Sequence, residues 1–370
     1  MFTRTAALTA ALALAGTAAP AQTLVGRPCL FSDYFAEWRN FPVILRDADG
    51  NLSCGGHRLN NGGATQGPPA AGAVAATAVR RCGRGAPQGH FTYRDAAGAV
   101  QDLWFERWRE HDRWHVQQLN RGGGSDAPAA AGDPSGLERE GVFHVVYRDL
   151  EGAVQELRND QGWQVRALNL GGATGAPAAA GDPVQVVANG VRHVLYRDLE
   201  GGIRDLADRA DGWRADLLNL GGRTGAPPAA GDPAVTADWT ELFVTYRDRE
   251  GGIQDLGSAA GWQARRLNCG GATAAPPAQG DPCARLVDHG RRHLTYRDRD
   301  GWLQDLWFDD GWRVQQLNGG GRTDAPRAQS DPAALVPASG WEYVAYVDEA
   351  GRAQLLSHFL DNPWQAARLR

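Results

Sequence analysis

Five acidic residues, Asp102, Glu156, Asp205, Asp255 and Asp305, recur at intervals of roughly 50 residues. Each is followed by a tryptophan: Trp114, Trp163, Trp213, Trp262 and Trp312. A carboxylate accepts hydrogen bonds from hydroxyl groups. An indole lays its face on the C–H side of a sugar ring and donates from its N–H. Several copies of that pair suit the binding of hydroxyl-rich ligands better than catalysis, which needs residues that break the repeat and hold an acid and a base in one cleft.

The stretch from Phe105 to Arg113 does break the repeat. It is expected as a longer loop between the third and fourth strands of its unit, and it carries what case there is for a hydrolase or lyase. Among histidines, His90, His144, His193 and His293 give way to Phe243 and Tyr343 in other units, the pattern of a space-filling position. His111 and His115 are a close histidine pair, too few for a zinc site. Asp47-Ala48-Asp49-Gly50 and Asp298-Arg299-Asp300-Gly301 have the look of calcium loops, but Asp95-Ala96-Ala97-Gly98 lacks the second acid, so plain hairpin turns are expected. Neither a metal nor a cofactor is predicted.

Structural roles compete for the same acids and indoles. A tryptophan at a fixed place in every unit packs well between units. An acid there can pair with an arginine of the next strand, such as Arg166, Arg214, Arg265 or Arg313.

The unit that positions these residues reads as an apolar run, Tyr-Arg-Asp, a turn, [Ile/Val]-x-Asp-Leu, Gly-Trp, Leu-Asn, Gly-Gly, Ala-Pro and Gly-Asp-Pro. Its hairpin core recurs at Asp47, Asp95, Asp149, Asp198, Asp248, Asp298 and, decayed, Asp348. In residues 184–219 the pattern gives four short strands, and the Gly/Pro-rich connection that follows cannot continue a ladder. Four strands per unit and seven units predict an all-β fold, a β-propeller of seven four-stranded antiparallel blades. A two-residue hairpin loop would set Tyr147 opposite Val154 and Val145 opposite Glu156, on one face. In the last unit the acid is read as Gln354.

Residues 1–21 read as a secretory signal, with Arg4, an Ala/Leu run from Ala6 to Ala15 and the small-x-small site Ala19-Pro20-Ala21. Residues 22–370 then form a single propeller domain, exported to the periplasm or the medium, with no stretch apolar and long enough to span a bilayer. A formal charge of −5 argues against a nucleic acid partner. The chain has no lysine, which excludes Schiff-base chemistry and fits a GC-rich bacterial genome. In an exported chain, Cys269 and Cys283 are candidates for a disulfide across one connection, with Cys29, Cys54 and Cys82 left over.

The phrase HVLYRDLEGGIRDL followed by Gly-Trp resembles the blades of fungal and bacterial fucose-binding propeller lectins. That resemblance implies sugar held between adjacent blades by an arginine, a glutamate and tryptophans. The glutamate corresponds to Asp102, Glu156, Asp205, Asp255 and Asp305, and the Gly-Trp indole to Trp114, Trp163, Trp213, Trp262 and Trp312. Trp104 and Trp307 lie one residue from the place of a second tryptophan. The arginine's place holds Phe91, Val145, Val194, Val244 and Leu294 instead, and that family's ring has six blades. The expectation is a multivalent, non-catalytic protein that binds glycans or glycoconjugates at its blade interfaces. The alternative is a scaffold for a protein partner.

Overall fold

The computed structural model describes residues 23–30, 43–78, 87–108, 111–238, 240–287, 291–337, 340–359 and 362–369. The expected export signal and Cys82 lie outside them. The described backbone forms seven four-stranded antiparallel sheets, each with its strands in chain order. The innermost strands touch one another around a closed ring, the last meeting the first. No helix occurs among the described residues, hence none long and apolar enough to cross a membrane.

Blade four shows how the repeated words make a blade. Its strands are Val184–Ala188, Val191–Arg197, Ile203–Arg209 and Gly212–Leu217. Asp198 folds the hairpin turn by accepting the amides of Glu200 and Gly202 at 3.1 and 2.6 Å. Gly201 sits in that turn at φ +87, and a Cβ there would stand 2.8 Å from the Ala229 carbonyl oxygen. Tyr196 donates its hydroxyl to the Pro177 carbonyl of the preceding connection. Asn219, fully buried, accepts from the Ile203 amide and donates to the carbonyls of Gly201 and Pro227. The Tyr-Arg-Asp and Leu-Asn words are therefore stitching, and they recur because each blade needs the same stitches.

The hairpin register differs from the expected one. Asp149 N–H bonds to the Ala153 carbonyl, so the turn is longer than two residues. Tyr147 then stands opposite Gln155, and Val146 opposite Glu156. A shift of one residue sends alternate side chains to opposite faces. Tyr147 and Glu156 thus point to different neighbours: tyrosine to the preceding blade, acid to the next. The same shift corrects the last unit. Gln354 bonds the turn residue Asp348 as Gln155 bonds Asp149, and the acid's place belongs to Leu355. Of the expected loop at Phe105–Arg113, the described residues 105–108 and 111–113 are instead strand, in Val100–Trp108 and His111–Gln118, which pair with each other.

Each tyrosine face packs on the blade before it. Val194, Tyr196, Leu206 and Trp213 lie against Val146, Leu168, Ala176 and Ala179 of blade three. Every fully buried aliphatic side chain there contributes about 1.5–3 kcal/mol. Connections add a second tie: Ala179 N–H bonds the Gly152 carbonyl of blade three, and Ala180 N–H the Arg197 carbonyl of blade four. The ring closes by the same device. Leu24 N–H bonds Gly351 of blade seven and Val25 N–H bonds Arg46 of blade one, so the segment at Thr23 takes the place of an inter-blade connection.

The Cys269–Cys283 bridge does not form, and both are thiols. Cys269 lies past the outermost strand of blade five, in a left-handed turn at φ 54, while Cys283 is buried in the innermost strand of blade six. The connection between them runs the width of a blade, so proximity in sequence is not proximity in space.

The Gly-Asp-Pro aspartates gather where the innermost strands begin. Asp182 N–H bonds the carboxylate of Asp232, Asp232 N–H that of Asp281, and Asp281 N–H that of Asp331. Burial, then the neighbouring Asp133 and Asp232, push the Asp182 carboxyl up to about 7, with Arg148 too distant at 3.8 Å to undo it. A carboxyl raised on folding stabilises fully below its unfolded value near 3.8, and that contribution is lost as pH rises towards 7. Asp182→Asn should therefore match the parent at pH 4 and be more stable at pH 8. Because the side chain is about a third exposed, the gain is about 1 kcal/mol. Thermal melts at the two pH values check this; equal melting at pH 8 refutes the ring-repulsion account.

Candidate functional site

All five repeated acids are buried at blade interfaces, and each is already bonded. His90 Nδ1 meets Asp102 at 2.8 Å, His144 meets Glu156 at 2.9 Å, His193 meets Asp205 at 2.9 Å and His293 meets Asp305 at 3.1 Å. In blade five, where Phe243 replaces histidine, Thr245 donates to Asp255. These histidines are partners of the acids and do more than fill space. The constant offset of 12 residues between each histidine and its acid was the available signal.

Between blades three and four the acid is also held from across the interface. Arg192, from the second strand of blade four and 1% exposed, bonds Glu156, and Arg166 reaches the same carboxylate at 2.6 Å from the fourth strand of blade three. Burial alone raises a carboxyl. Here the His144 bond and the Arg192 and Arg166 guanidinia outweigh it and bring Glu156 down to about 2. Both arginines lie over Trp213, 4.9 and 5.3 Å from the ring centroid, and the indole Nε1 is buried without a partner.

Two further interfaces carry a cross-blade ion pair. Arg292 of blade six bonds Asp255 of blade five and lies over Phe243 and Trp312. Between blades six and seven the polarity is reversed: Arg285, on the innermost strand of blade six, bonds Asp305 at 3.0 Å and Glu342 of blade seven at 2.9 Å. Against burial, Arg285 and His293 hold Asp305 well below the usual carboxylate range. Between blades two and three the place is filled by Phe143, whose ring lies 4.4 Å from that of His90.

Of the arginines expected beside the acids, only Arg166 takes that role directly. Arg265 is opposite Asp255 in register, whereas Arg214 and Arg313 turn to Asp211 and Asp309. The residues that sequence reasoning missed are Arg192, Arg285 and Arg292. Apolar residues do fill the arginine's expected place, but a guanidinium arrives from the next blade, two strand positions earlier.

Trp114, Trp163, Trp213, Trp262 and Trp312 are all half-buried, with each described indole packed against the hydrophobic cluster of its interface. Carboxylate and indole of the expected pair thus come from different blades and meet across one seam. Chemically, such a seam offers an aromatic platform at its rim and a charged, hydrogen-bonded floor beneath it. Between blades four and five the rim opens into a cleft of about 640 Å³ lined by Trp262, Gln254, Gln263, Ala264 and the loop at Thr224–Ala226.

No protein-family model and no curated protein sequence matches the chain. Solved structures do. The fold is similar to that of the BP39L lectin from Burkholderia pseudomallei, with a TM-score of 0.64 and 14% identity over 94% of this chain and 99% of that one. It is similar to AofleA from Arthrobotrys oligospora (0.52, 14%, over 80% and 87%). It is also similar to the SapL1 lectin, solved in complex with alpha methyl fucoside (0.51, 14%, over 80% and 97%). At such identity the likeness concerns the fold: this chain is a seven-bladed β-propeller built like the solved propeller lectins.

Proposed function

We propose that the protein is an exported, non-catalytic carbohydrate-binding propeller whose sites lie at the blade interfaces. The observation that carries this reading is the meeting, across one seam, of a carboxylate from one blade with an indole from the next. The fold it shares with solved lectins adds support. The charged residues of the seams are committed to one another in buried clusters built on a repeated acid, which argues for binding rather than turnover. The number of working sites then depends on how many seams are open.

A glycan array with purified mature protein tests the reading. Binding to a defined sugar class, undiminished by chelator, is the expected result. A blank array from folded protein overturns it.

One observation favours a protein partner instead. Leu150 and Leu199, at the hairpin turns of blades three and four, are 79% and 70% exposed, and Leu170 and Leu220 of the same blades are also exposed. Other blades carry Arg249, Arg299 or Glu349 at the turn position. Under that reading Leu150→Glu/Leu199→Glu abolishes capture of a partner and leaves glycan binding unchanged.

A further inference from the structure

The tryptophan positions are alike in sequence and unlike in cover. Trp114 lies against Phe91 and Phe105, at 5.8 and 5.2 Å. Trp163 rests on Gly124, where an added Cβ would stand 2.6 Å from the ring, and meets the edge of Phe143. Trp213 is under Arg166 and Arg192, and Trp312 is under Arg292. Trp364 is 8% exposed and stacks with His358 at 5.0 Å. Over Trp262, among the described residues, there is neither a ring nor a cation, and its seam opens into the cleft.

Particular substitutions open this seam. Leu242 stands in the register position of Arg192 and Arg292, so no guanidinium comes from blade five. Asp216 faces Asp205 where Arg166 faces Glu156 and Arg265 faces Asp255, so the arginine that lies over Trp213 from blade three has no counterpart at this register position in blade four. Ala264, like Ala215 and Ala366, is smaller than the Val165 and Val314 of other blades, and here, among the described residues, no guanidinium lies over the neighbouring indole. On the other wall Gly225 has open space beyond its Cα. At the rim Arg223 bonds Asp216 at 2.8 Å, half-exposed, beside Thr224 of the cleft.

We propose that the repeated binding seams are unequal, and that the chain binds one saccharide residue at the groove between blades four and five, the others being closed by their own side chains. The sugar's C–H face lies on Trp262, and its hydroxyls meet the Gln263 amide and the Asp216–Arg223 pair. This rests on the carbohydrate reading and adds site and stoichiometry to it.

The test is isothermal titration of the full mature chain with methyl α-L-fucoside, methyl α-D-mannoside, methyl β-D-galactoside and N-acetylglucosamine. Binding of at least one, near one equivalent per chain, is expected. Gly225→Leu fills the groove without disturbing the core and should weaken binding about tenfold or more. Gly175→Leu, at the same place between blades three and four and equally unobstructed, should leave it unchanged. Several equivalents per chain, or unaltered binding by Gly225→Leu, overturns the single-groove inference and leaves the carbohydrate reading standing. Heat from none of the four probes, with folded parent, removes both.

Discussion

Replacing Arg192 by methionine is expected to destabilise the protein by about 3–5 kcal/mol at pH 7, the usual cost of stranding one partner of a buried ion pair. The side chain is 1% exposed, and its guanidinium bonds Glu156 while lying 3.5 Å from Asp208. Without it Glu156 keeps His144 and the half-exposed Arg166, which cannot offset the burial of a full charge. Urea unfolding followed by tryptophan fluorescence measures the loss as a shift in midpoint at constant slope. Arg192→Met combined with Glu156→Met should recover most of it, since an apolar pair of similar volume costs little. Arg166→Met, at a position 47% exposed, should change stability by less than about 1 kcal/mol.

The Arg192 effect carries its own pH signature. Glu156 is depressed to about 2 in the folded parent, so the contribution of its charged form is present above the unfolded value of 4.5 and is lost as pH falls towards 2. In Arg192→Met the carboxyl no longer has that stabilisation to lose. Parent and variant should therefore converge as pH is lowered from about 4.5. A gap that stays constant down to pH 3 would mean that Arg192 acts by packing on Trp213 and not through Glu156.

Blade number and strand count were legible because the repeat is written in turn residues. Asp198, Gly201 and the Gly/Pro-rich connection specify where the chain must reverse, whatever lies between. Face was not legible with the same security. The turn at Asp149 takes more residues than the shortest hairpin, and one residue of register decides whether Glu156 points to its own blade's tyrosine or to the next blade. Blade interfaces were the least legible. Arg192 is 36 residues from Glu156 and lies on a different sheet, so strand periodicity has nothing to say about the pair. Ring closure was half-visible: Gly26–Cys29 matches Gly280–Cys283 in sequence, but only the bonds of Leu24 and Val25 show that the segment before it serves as the missing connection. The acids and indoles read as a repeated set do lie together along the blade interfaces. What fills each seam beside them depends on neighbours one blade away.

Asn219→Ala should be comparably damaging for a different reason. The Asn219 amide satisfies three backbone groups at once: the Ile203 N–H at the start of the third strand, the Gly201 carbonyl in the hairpin turn and the Pro227 carbonyl in the connection. With the side chain fully buried, water cannot replace those bonds without opening the blade. The Ile203 N–H is orphaned at about 1–3 kcal/mol, while the Gly201 and Pro227 carbonyls lose one bond each but keep the Ala229 amide and the Tyr246 hydroxyl, so a loss of about 2–6 kcal/mol is expected. Asn219→Asp keeps the acceptor for Ile203 but loses both donations and sets a charge against two carbonyl oxygens, so it should rescue little. The tie also crosses from blade four into the connection that leads to blade five. Amide hydrogen exchange should therefore accelerate at Ile203 and, in the same variant, at Ala229, which bonds the Gly201 carbonyl. Exchange that quickens at Ile203 alone would mean that the asparagine caps one strand. Coupled exchange at both would identify it as the joint through which a blade holds its neighbour.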